Sequence, residues 1–167
     1  MYTRFAKVFY FLSIGLFLFF LLYVYAALPE FATYAVNEAG MPLKQVSRDA
    51  FFYTSVVFFL IFNVMLIIPA KLIEMKINVS LKRLFPVGDP YRDKMLAWIY
   101  SFIGILNVAS AVLVFYIHSL SNQNEISSSS YNFFFYLAPL LLLVWIAVLF
   151  YLLAGKMKQV KTGNIIS

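Results

Sequence analysis

Four apolar runs, separated by short polar segments, dominate this chain. They cover roughly residues 8–28, 50–70, 95–119 and 131–154, and none has an acid, Lys or Arg in its central part. Each is about 20 residues or longer, and at 1.5 Å per residue a helix of that length crosses the roughly 30 Å hydrocarbon core of a bilayer. The pattern predicts an all-α membrane protein: a four-transmembrane-helix bundle forming one domain over residues 1–167.

The polar segments carry the punctuation. Leu28-Pro29-Glu30 and Asn37-Glu38-Ala39-Gly40-Met41-Pro42 break any helix between spans 1 and 2. Ser47 or Asp49 is placed to cap span 2. After span 2, Met75-Lys76-Ile77-Asn78-Val79-Ser80-Leu81-Lys82 alternates apolar and polar, the period of a half-buried strand or of a segment lying on the membrane surface. Asp89-Pro90 predicts a helix start, because Asp caps free N–H groups and Pro suits the first helical position. Trp98 and Tyr100 mark the interface at the entrance to span 3. Pro139 lies inside span 4 and predicts a kink. Span 1 begins like a signal peptide, but its apolar run exceeds the usual 7–15 residues, so it reads as a retained helix.

Composition adds orientation. Hydrophobic residues make up 63% and charged residues 12%, against about 45–50% and 25% in soluble domains, which leaves too little polar chain for a second folded domain. The net charge is +6, from thirteen bases and seven acids. Eleven bases fall before span 1, between spans 2 and 3, or after span 4; only Lys44 and Arg48 fall on the other side. The positive-inside rule then places both termini and the middle loop in the cytoplasm and explains the excess without nucleic acid. The chain has no Cys, which excludes thiol–disulfide exchange and thiolate metal sites.

Candidate functional groups are few. Span 3 carries small residues at Ala97, Ser101, Gly104 and Ala111, with Val108 in the same row and Ser110 beside it. Such a stripe lets helices approach closely, either inside the bundle or against a partner or second copy. Asn63 and Asn107 are the most polar groups in mid-membrane and read as structural glue or, alternatively, as a substrate or ion site. Counted from the predicted span ends, their depths differ by about 8 Å, too far for direct contact without shifted boundaries. His118 is the lone histidine, and every acid falls in a loop or at a helix end. No catalytic, metal or cofactor motif is present, so no cofactor is expected and an enzyme is not.

The segment between spans 1 and 2 resembles a domain of bacterial membrane proteins also found at the N-terminus of SdpI-type toxin-immunity proteins. The family pattern runs Leu-Pro-Asp, a few residues, His-Phe-Asn, two small residues, Gly, any residue, Pro-Asp. Leu28, Pro29, Glu30, Asn37, Gly40 and Pro42 align with it without a gap; Ala35 and Leu43 replace its His and second Asp. The resemblance covers about 45 residues. It implies a bacterial inner-membrane module whose extracytoplasmic loop senses or binds something, and no catalysis. Residues and resemblance together lead to the expectation of a non-enzymatic protein working through a membrane partner, as an accessory subunit or an immunity or sensing protein. A small oligomeric transporter or channel is the alternative.

Overall fold

The computed structural model describes residues 2–37, 41–75, 84–122 and 132–163. Its elements, in chain order, are α1 (Tyr2–Ala27), β1 (Phe31–Val36), β2 (Pro42–Ser47), α2 (Arg48–Glu74), α3 (Pro90–Asn122) and α4 (Asn132–Gly163). Four helices are long and apolar enough to span a membrane. Each of the four runs thus falls almost wholly within one helix, and three of the helices begin before their run. α3 has 33 residues, about 50 Å, so it projects well beyond a bilayer core.

α3 is the axis of the bundle. It packs most extensively on α1 and also touches α2, α4 and β1. The buried residues of α1, Ala6, Tyr10, Ser13, Phe17, Leu21 and Val24, recur every three or four positions and form one stripe. The rest of its surface is as apolar as the stripe: Phe5, Phe11, Leu12, Phe19 and Leu22 all face outward. Exposed apolar surface on this scale is stable in lipid and not in water. The core falls into two layers. One, around Tyr10, Ile73, Ile99, Tyr100 and Ile103, lies toward the chain termini; the other, around Phe17, Leu21, Val24, Ala111 and Val114, lies toward the hairpin.

Contacts between helix ends set the orientation of the elements relative to one another. Thr3 donates to the Asp93 carbonyl at 3.0 Å, Lys7 pairs with Glu74 at 2.6 Å, and Lys156 pairs with Asp89. The start of α1, the end of α2, the start of α3 and the C-terminal part of α4 therefore share one end, called here the basic end.

The connection between α1 and α2 is not merely irregular. It is an antiparallel two-stranded hairpin, β1 against β2, with register shifts on either side of Ala35. Phe31-Ala32-Thr33-Tyr34-Ala35-Val36 is rich in aromatic and β-branched residues, which favour a pleated, half-buried surface; reading this segment only as helix-breaking turn overlooked that signal. Ala32 is fully buried and Thr33 nearly so, so one side of β1 rests on the bundle.

The predicted caps are in place. Ser47 Oγ accepts from the Ala50 amide at 3.3 Å. Asp89 Oδ1 accepts from the Tyr91 amide at 2.9 Å, ahead of Pro90 in the first turn of α3. Gly88 supplies the left-handed turn before it, with φ +94°. α4 runs through Pro139 as one helix. The alternating segment 76–82, Gly40, and nearly all of the loop 121–130 lie outside the described residues.

Candidate functional site

Asn63 and Asn107 meet. Asn63 Nδ2 donates to Asn107 Oδ1 at 2.9 Å, and Asn107 Nδ2 donates back to Asn63 Oδ1 at 3.2 Å. The second donor of each amide is also used: Asn63 Nδ2 reaches the Phe59 carbonyl at 2.9 Å, and Asn107 Nδ2 reaches Ser13 Oγ at 3.1 Å. Ser13 in turn donates to the Tyr10 carbonyl at 2.7 Å. This knot joins α1, α2 and α3 between the two core layers, and no side-chain N–H in it is left over. The predicted depth gap of about 8 Å is corrected. That estimate set the inner ends of spans 2 and 3 level, whereas α3 starts well beyond the end of α2. Arg92 reaches back 3.3 Å to the Ile73 carbonyl, although Arg92 is fifteen residues from Asn107 and Ile73 only ten from Asn63. Ser13 is not among the polar groups singled out above, because a lone serine in an apolar run carries little signal by itself.

The small-residue stripe divides between two surroundings. Gly104 and Ala111 are buried against α1. A Cβ at Gly104 would stand 2.5 Å from the Phe9 ring, so glycine is what allows α1 to approach. Ala97 and Ser101 instead line a groove of about 640 Å³ between α1, α3 and α4. The two tryptophans close its inner side. Trp98 Nε1 donates to the Trp145 carbonyl at 2.8 Å, Trp145 Nε1 donates to Ser101 Oγ at 3.1 Å, and Ser101 donates to the Trp98 carbonyl at 3.0 Å. This clasp docks α4, whose surface is otherwise mostly exposed.

Two charged clusters at the basic end had no counterpart in the sequence reading. Glu74 is paired with Lys7 at 2.6 Å and Lys71 at 3.1 Å and accepts from the Tyr100 hydroxyl at 3.1 Å. Tyr100, expected at the interface, is 2% exposed; its ring packs inward because Glu74 gives the hydroxyl an acceptor. The second pair, Lys156 with Asp89, is the more deeply buried, with side chains 9% and 4% exposed. Asp89 thus caps α3 and holds α4 at once, and Lys156 Nζ lies 5.7 Å from the Phe85 ring centroid. Only the i,i+3 spacing of Lys71 and Glu74 hinted at either cluster.

No family model, curated protein or solved structure matches the chain.

At the other end, the residues of the outer-loop motif frame the hairpin. Leu28 is buried. The Glu30 carbonyl accepts from the Arg48 amide at 2.9 Å, closing its base. Asn37 closes the tip twice: its amide donates to the Met41 carbonyl at 2.9 Å, and its Oδ1 accepts from the Met41 amide at 2.8 Å. Pro42 opens β2 opposite Val36, while Pro29 sits between Leu28 and the hairpin base. The free edge of β1 is bound to α3, since the Thr33 amide donates to Ser121 Oγ at 2.8 Å. β2 is left outermost, with Leu43 64% exposed and Met41, just before the strand, 62%. Among the described residues no three His, Asp or Glu side chains converge as metal ligands would.

Proposed function

We propose that this chain is a non-enzymatic membrane protein of the bacterial cytoplasmic membrane that acts through a protein partner, as an accessory subunit or as an immunity or sensing protein. Both termini and the basic end face the cytoplasm, and the hairpin faces outward. The charge distribution supports that orientation: the basic end and its loop hold eleven bases and three acids, the hairpin side two bases and four acids. The observation carrying the partner reading is the hairpin itself. One strand is pinned to the bundle through Ala32, Thr33 and Ser121. The other presents an unpaired edge and exposed Leu43, with exposed Met41 just before it, and edges of this kind accept a partner's strand or apolar surface. The resemblance to the SdpI-type domain lies in this same segment and is the reason immunity stands among the roles.

The oligomeric transporter or channel has less support. Asn63 and Asn107, the groups that would line its path, use their N–H bonds inside the bundle. A photo-reactive amino acid at Leu43, compared with one at lipid-facing Leu113, tests the proposal in native membranes. A discrete heterologous adduct from position 43 alone supports it. Adducts only between copies of this chain would move the assignment to the oligomeric class.

A further inference from the structure

The groove between α1, α3 and α4 has features that the partner reading does not use. It runs from Tyr2 and Lys94 at the basic end to Ser101 and Trp145. Those limits are seven residues apart on α3, about 10 Å along the axis, or roughly a third of a 30 Å hydrocarbon core. The groove is thus confined to one leaflet. Its walls are apolar and aromatic, including Phe5, Phe9 and Val148. The polar side-chain atoms at its inner end are already bonded to one another through the tryptophan–serine clasp. Nothing there solicits a polar ligand; the surface asks for a hydrocarbon chain.

The mouth has the opposite character. Lys94 lines it, is exposed, and forms no ion pair among the described residues; its Nζ stands 5.3 Å from the Tyr91 ring centroid. A lysine at this level extends its stem along the apolar wall and holds its ammonium at headgroup depth. Basic pockets between transmembrane helices at the positively charged side of a membrane bind anionic headgroups. A helix is a poorer occupant, because about 10 Å of groove offers it only about two turns of contact, a small share of a membrane-spanning helix.

We propose that this groove is a binding site for an anionic glycerophospholipid of the leaflet at the basic end, with one acyl chain along Ala97 and the tryptophan clasp and its phosphate at Lys94. The occupant is held by chain burial and selected by charge. The site is independent of any protein partner at the hairpin.

The two tryptophans of the chain are Trp98 and Trp145, and both line this groove. Intrinsic fluorescence therefore reports on it without labels. The protein is reconstituted in phosphatidylcholine vesicles, and brominated-chain phosphatidylglycerol or brominated-chain phosphatidylcholine is added at matched mole fractions. Phosphatidylglycerol should quench with about a fivefold higher apparent association constant, the selectivity of a single lysine near the surface. Lys94→Gln should bring the two lipids level, with an unchanged helical circular-dichroism spectrum. Equal quenching by both headgroups in the unaltered protein would overturn the proposal, as would a selectivity that survives Lys94→Gln. Weak quenching by both lipids at every mole fraction would also overturn it, since the groove would then hold something other than lipid.

Discussion

Replacing Asn107 by Leu tests the amide knot most directly. The substitution removes three hydrogen bonds: the reciprocal pair with Asn63 and the bond to Ser13. Bonds of this kind between membrane helices contribute about 0.6 kcal/mol each, so roughly 2 kcal/mol is lost directly. Asn63 is then left with one N–H and its Oδ1 unpaired, while its bond to the Phe59 carbonyl survives. Stranding buried polar atoms adds about 1–3 kcal/mol. The expected loss is therefore about 3–5 kcal/mol, with insertion intact. The double variant Asn63→Leu/Asn107→Leu removes the stranded atoms along with the bonds. It should be less destabilised than the sum of the singles by about 2 kcal/mol or more, a non-additivity expected of groups in one network. Unfolding free energies in bicelles, measured for the wild type and the three variants, complete the cycle. Additive losses would refute the reasoning, because they would mean that each amide contributes without the other.

Other substitutions probe the remaining contacts. Gly104→Ala places a Cβ 2.5 Å from the Phe9 ring and should destabilise the bundle by about 1–3 kcal/mol; a thermal melt should show the loss, and Phe9→Leu should recover most of it. Lys156→Met strands the buried carboxylate of Asp89 and should cost about 3 kcal/mol, seen as faster proteolysis after α4 loses its anchor. Since the chain has no Cys, cysteines at Asn37 and Ser128 should react with an impermeant reagent from outside intact cells and one at Ser80 should not; the reverse pattern would invert the proposed topology.

How much of this was legible in the sequence depends on the range of the interaction. The helices were legible because twenty apolar residues in a row are a local signal. The caps at Ser47 and Asp89 were legible for the same reason, each being decided within four residues. Asn63 and Asn107 stood out as polar groups in apolar runs. Their contact did not, because it depends on how far α3 slides past α2, and no residue in either run states that offset. The hairpin was half legible: its turn residues are a local signal, while the strand pairing of Phe31-Ala32-Thr33-Tyr34-Ala35-Val36 depends on a partner beyond the turn. Lys156 with Asp89 and Lys7 with Glu74 pair across 67 positions each, and nothing local distinguishes those bases from others near the membrane surface. The stripe on α3 was legible as a close-packing face, but not its division between Gly104 against α1 and Ala97 in the groove.

The amide knot also bears on the order in which the chain is made. Its members come from the first three helices, so it has every partner it needs once α3 has entered the bilayer. Until then Asn63 faces hydrocarbon with its Asn107 partner still unsynthesised, which favours retention of α2 beside the insertion machinery until α3 arrives. Among the described residues α4 adds no side chain to this knot; it joins through the tryptophan clasp, the Lys156–Asp89 pair and the close approach of Gly155 to Tyr91. The last helix is thereby the part of the molecule whose attachment can vary while the rest keeps its shape.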